Sequence, residues 1–193
     1  MGMSASPTVL IVPGLRDAVA QHWQTLLEAS LRAAGRPVAS VPAMGRDDLD
    51  CAARVAAIER AAQAVEGPLV IVAHSGGCIM VAHWARQTTR AVQGALLAVP
   101  PDFERAMPDG YPTIEALRAW GWLPVPRTRL PFPSLVGASR NDPLAAYDRT
   151  VELAHDWGSE TVDLGEVGHL NPASGYGEWP QAETFIEQLG ALR

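Results

Sequence analysis

Short runs of wholly apolar residues, separated by longer amphipathic stretches, constrain this chain more than any other feature. Thr8–Val12 is continuously aliphatic and β-branched and is stopped by Pro13-Gly14. A run with no polar alternate has both faces buried, which is how the strands of a parallel sheet read. Val38–Val41, Leu69–Ala73, Gly94–Val99 and Ser134–Ala138 repeat the pattern. Glu160–Leu164 has a polar start and fits a strand near an edge. The intervening stretches carry helical periodicity. Ala20–Ala34 sets Trp23, Leu26, Leu27 and Leu31 at helical spacing and ends at Gly35. Leu49–Val65, Gly76–Gln87, Leu144–Trp157 and Glu183–Leu192 are the other long helices expected, with Gly158 at a helix C-terminus. Strand–helix alternation of this kind predicts one α/β domain. Its doubly wound, mostly parallel sheet has about six strands flanked by helices. Residues 1–7 are expected to be a disordered leader and residues 8–193 the domain.

Composition narrows the class. Hydrophobic residues make up 48% of the 193 and charged residues 19%, the balance of a globular chain. The formal net charge of −6 argues against a nucleic-acid partner. No apolar run approaches the ~20 residues that cross a bilayer, and the first is too short for a signal-peptide core. Two cysteines, Cys51 and Cys78, indicate a reducing compartment, so a cytoplasmic location is expected. No residue pattern suggests a metal or a nucleotide cofactor, and none is expected. Nothing in the sequence sets the oligomeric state.

In open α/β sheets the chemistry lies beyond the carboxyl ends of the strands. Three such ends hold reactive groups. Ala73-His74-Ser75-Gly76-Gly77 follows the third strand and approximates the G-x-S-x-G turn that exposes a serine hydroxyl, with Ala73 in the first glycine's place. A Gly-rich turn alone also serves phosphate binding or mere chain reversal. Asp142 follows the fifth strand in Ser139-Arg140-Asn141-Asp142-Pro143, a segment that also reads as an ordinary turn. His169 follows the sixth in Gly168-His169-Leu170-Asn171. The order Ser75, Asp142, His169 is that of α/β-hydrolases. A serine hydroxyl needs an imidazole to take its proton, and the imidazole needs a carboxylate to fix its tautomer. The backbone N–H groups of Gly76 and Leu15 are the expected oxyanion donors. Asp163 lies within the sixth strand and is worse placed than Asp142. His22, Trp120 and Trp122 are candidate substrate-binding residues, the two tryptophans as a wall or partial cap within the proline-rich stretch from Pro101 to Pro133. A short helix is expected there over Ile114–Trp120.

The string Ser139-Arg140-Asn141-Asp142-Pro143, Trp157-Gly158-Ser159, Gly168-His169-Leu170-Asn171 and Ser174-Gly175-Tyr176-Gly177-Glu178-Trp179 is long and specific. With the Pro-Gly turn and His22-Trp23 near the start, it resembles the small serine hydrolases related to retinoblastoma-binding protein nine and bacterial YdeN. The resemblance implies a compact α/β-hydrolase without cofactor that cleaves small esters or amides. By motif position it gives Ser75, Asp142 and His169 the catalytic roles. A second reading is a protein-binding module on a hydrolase scaffold. A Cys78 thiol enzyme, a third, lacks a placed histidine.

Overall fold

The computed structural model describes residues 6–16 and 19–192. Most of the expected leader, residues 1–5, lies outside the described residues. Six parallel strands form one sheet: β1 (Thr8–Val12), β2 (Val38–Ser40), β3 (Leu69–His74), β4 (Gly94–Ala98), β5 (Ser134–Ala138) and β6 (Glu160–Asp163), in the spatial order β2-β1-β3-β4-β5-β6. The helices are α1 (Trp23–Ala33), α2 (Cys51–Gln63), α3 (Gly76–Ala85), α4 (Ile114–Ala119), α5 (Tyr147–Trp157) and α6 (Gln181–Gly190).

The apolar runs form strands because alternate residues feed two separate cores. Leu10 and Val12 of β1, Leu69, Ile71 and Ala73 of β3, and Ala95 and Leu97 of β4 pack against α2, α3 and α5. Val9, Ile11, Val70, Val72, Leu96 and Ala98 point the other way, against Trp23, Leu27 and Leu31 of α1 and Ala182, Ile186 and Leu189 of α6. Every residue of β3 is buried. Burying each Val, Leu or Ile side chain contributes about 1.5–3 kcal/mol, so an unpaired charge in place of one along β3 would be strongly destabilising. The edge strand β6 keeps its polar start, and Glu160 and Asp163 are exposed.

The chain winds outward from β1 to β2, then returns to β3 and proceeds the other way to β6. The sheet therefore reverses its winding between β1 and β3, and their carboxyl ends open the crevice where α/β sheets bind ligands. Among the described residues no helix is long and apolar enough to cross a membrane.

Candidate active site

β3 runs straight into α3 through Ser75, which takes φ 55° and ψ −130°. A non-glycine residue in that region is strained and persists only where its surroundings hold it. Here Ser75 N donates to Ala98 O at 2.9 Å, and α3 is pressed against the end of β1. A Cβ on Gly77 would lie 2.7 Å from Pro13 O and 2.8 Å from Val12 O, so only glycine permits the approach. Ala73, where the motif usually has glycine, is fully buried and accommodated.

The turn aims Ser75 Oγ at His169, whose Nε2 lies 2.7 Å away. His169 Nδ1 lies 2.8 Å from Asp142 Oδ2 and 3.0 Å from Oδ1. A carboxylate only accepts, so the imidazole proton sits on Nδ1 and the Nε2 lone pair faces the serine hydroxyl. The His169 and Asp142 side chains are 5% and 3% exposed, so water does not compete for the contact. The Asp142 carboxylate is fixed in turn by the Leu144 N–H, which donates to Oδ1 at 2.8 Å.

The loop carrying His169 is held through its backbone. His169 N donates to Ser174 Oγ at 3.0 Å, and Ser174 Oγ donates to Asn171 Oδ1 at 2.8 Å. Gly168 N donates to Asn141 Oδ1 at 2.7 Å, tying this loop to the one that carries Asp142. His74 is buried and its Nε2 donates to His169 O at 2.9 Å. Burial holds the His74 imidazole well below its ordinary range, with the adjacent His169 and His22 acting in the same direction. It is therefore a neutral brace.

The turn after β1 completes the constellation. A Cβ on Gly14 would lie 3.3 Å from Ser75 Cβ, and one on Gly76 would lie 2.8 Å from Leu15 Cγ. Leu15 thus overlies the first turn of α3. Among the described residues neither the Leu15 nor the Gly76 N–H donates to another backbone group. The contacts among Ser75, His169 and Asp142 can carry a proton from a hydroxyl to an imidazole.

A cavity of about 820 Å³ opens over Ser75. Its walls include Leu15, Val41, Leu49, Phe103 and Met107, with His22 and Gln24 from the start of α1. The structure thus brings together Ser75, Asp142, His169, Leu15, Gly76 and His22. It does not bring in the two tryptophans. Trp122 is fully buried, its Nε1 donating to Leu49 O at 2.8 Å and its ring edge-on to Phe103. Trp120 is 51% exposed and borders an outer depression beside Met44 and Asp48. The proline-rich stretch does wall the cavity, but through Phe103, Met107 and Tyr111, ahead of α4. Asp163 faces outward and is paired with Arg140 at 3.0 Å. Cys78 is buried with Sγ 3.4 Å from Ala98 O, and burial pushes its thiol well up. It is no nucleophile. Sequence reasoning missed Gln24 and the brace formed by His74; the only signal for either was a polar residue at an otherwise apolar position.

A parallel sheet with serine on the turn after β3, and aspartate and histidine on the loops after β5 and β6, defines an α/β-hydrolase. The serine hydrolase family matches residues 9–188, and the chain belongs to that family. A protein of Pectobacterium atrosepticum described as a YdeN-like hydrolase superposes with a TM-score of 0.75 at 28% identity, over 96% of this chain and 89% of that one. The ydeN gene product of B. subtilis gives a TM-score of 0.75 at 16% identity, over 95% and 98%. Est1E from Butyrivibrio proteoclasticus gives 0.67 at 14%, over 97% and 87%. At these last two identities the likeness concerns the fold alone. No curated protein matches the chain.

Proposed function

We propose that the protein hydrolyses small carboxylic esters or amides through an acyl-Ser75 intermediate. One observation carries this reading: Ser75 Oγ lies 2.7 Å from a His169 Nε2 whose Nδ1 is 2.8 Å from the Asp142 carboxylate. In the first half-reaction Ser75 Oγ attacks the substrate carbonyl carbon while His169 Nε2 takes its proton. The tetrahedral oxyanion receives hydrogen bonds from the Leu15 and Gly76 N–H groups. As the intermediate collapses, His169 returns the proton to the departing alkoxide or amine. In the second half, water attacks the acyl carbon, His169 again takes and returns a proton, and the acid and free Ser75 are released. Asp142 orients the imidazole and stabilises its charged form. Losing one oxyanion donor in such a site costs about 2.7–4 kcal/mol of barrier.

The reaction requires no cofactor beyond the residues named. The walls of the cavity favour small-molecule substrates with apolar parts. The cysteine usage, with Cys51 and Cys78 both free and buried, supports a cytoplasmic location. A fluorophosphonate probe tests the assignment. Wild type should be labelled on Ser75, and Ser75→Ala and His169→Ala should not be. Equal labelling of wild type and Ser75→Ala would end this reading.

A further inference from the structure

Two polar side chains at the start of α1 face the cavity and take no part in the chemistry above. His22 Nδ1 accepts the Gln24 backbone N–H at 3.1 Å, which caps the helix and fixes the tautomer with the proton on Nε2. Among the described residues that Nε2–H has no partner. Burial, aided by His169, holds the His22 imidazole at about 4, so it stays neutral in use. Gln24 is 5% exposed, and its Nε2 donates to Val12 O at 3.0 Å and Val72 O at 3.2 Å. Two carbonyl oxygens accept only a donor, so the carboxamide cannot be turned round. Its Oε1 is left without a partner among the described residues, in a buried side chain that lines the cavity.

Both groups line the cavity that opens over Ser75. Val72 is three residues before Ser75, and Val12 is two before Gly14. The His22 ring lies 4.6 Å from the ring of His74, which braces His169. The cavity wall thus offers one fixed neutral donor and one fixed neutral acceptor, at residues two apart on one helix start.

We propose that His22 Nε2–H and Gln24 Oε1 bind a neutral amide group of the substrate. The substrate's carbonyl accepts from His22 and its N–H donates to Gln24. The preferred substrates are then esters or amides that carry a second, uncleaved amide near the scissile bond, in preference to plain alkyl esters. This rests on the acyl-Ser75 reading. The physical reason for the preference is that an alkyl chain would leave both groups desolvated and unpaired, while an amide of the same shape pairs both.

Matched ester pairs test it. N-acetylglycine ethyl ester is compared with ethyl 4-methylpentanoate, in which a methyl group stands where the amide oxygen was. 2-Acetamidoethyl acetate is compared with pentyl acetate on the alcohol side. Wild type should favour the amide member of at least one pair by about tenfold or more in kcat/KM, since the amide pairs two otherwise unpaired groups. His22→Asn keeps the helix cap but loses the Nε2–H. It should reduce that ratio by about threefold to tenfold, chiefly through KM, as one neutral hydrogen bond is lost. A wild-type ratio near unity in both pairs overturns the inference and leaves the hydrolase intact. So does a His22→Asn variant that slows both members of a pair equally, the mark of a structural role. If no ester is cleaved in a Ser75-dependent way, the acyl-serine reading falls and this one with it.

Discussion

Replacing His22 with asparagine should make the protein more resistant to acid. Burial, with His169 nearby, holds the His22 imidazole at about 4, against an ordinary 6.5. The unfolded chain takes up a proton near 6.5, whereas the native chain refuses it until about 4. Protonation therefore favours the unfolded state across that window. The His22 contribution to stability is intact above pH 6.5 and is lost progressively as pH falls towards 4. From these two values the penalty is about 2 kcal/mol at pH 5 and about 3 kcal/mol below pH 4. Asparagine is a good N-cap, so its side-chain oxygen can replace Nδ1 as the acceptor for the Gln24 N–H. It carries no titrating group. In a domain of this size 1 kcal/mol moves Tm by about 2–4 °C. Scanning calorimetry at pH 7.5 and pH 5 should therefore show a Tm decline about 4–8 °C smaller for His22→Asn than for wild type. His74, held low chiefly by burial and only in part by His22, remains in both proteins and largely cancels. Equal declines would refute the claim that His22 is buried as a neutral ring.

Other expectations concern the turn, the carboxylate and the misplaced tryptophan. Gly77→Ala sets a Cβ 2.7 Å from Pro13 O and 2.8 Å from Val12 O. That overpacking costs about 1–3 kcal/mol and outweighs the ~1 kcal/mol an alanine ordinarily gains in a helix, so the urea midpoint should fall. Asp142→Asn keeps the shape of the contact to His169 Nδ1 but lets the amide donate, favouring the wrong imidazole tautomer. kcat for a p-nitrophenyl ester should drop by a factor on the order of 10⁴. Trp120→Ala removes an indole that lies outside the Ser75 cavity. KM for the same ester should stay within about twofold of wild type, and stability within about 0.5 kcal/mol.

The sheet was largely legible because its signal is local. Each buried strand is an apolar run bounded by Pro, Gly or a polar residue, and β5 occupies Ser134–Ala138 as expected. Helix starts were less so. The expected helix over Ala20–Ala34 begins at Trp23, because His22 turns its side chain back onto the Gln24 N–H. The helix expected from Leu144 begins at Tyr147, because the Asp142 carboxylate binds the Leu144 N–H and holds the chain in a turn. In both cases a side-chain acceptor captured a backbone donor that helical periodicity alone does not register. Ser75, Asp142 and His169 could be grouped as a candidate site from sequence because strand ends share one edge of a parallel sheet, and the structure brings their side chains into contact. Trp120 and Trp122 could not be placed by that logic. Trp122 is drawn inward by Leu49 O, a partner 73 residues distant in sequence. Gln24 looked like one polar residue near a helix start, and its two carbonyl partners belong to different strands.

The central claim is that Ser75 becomes covalently acylated during turnover. Stopped-flow mixing with p-nitrophenyl acetate, with intact-protein and peptide mass spectrometry on the quenched reaction, tests it most directly. The account predicts a burst of p-nitrophenol stoichiometric with enzyme and an acetyl group on the peptide containing Ser75. Both should vanish in Ser75→Ala. Steady turnover with no adduct on Ser75, or an adduct that persists in Ser75→Ala, would contradict it.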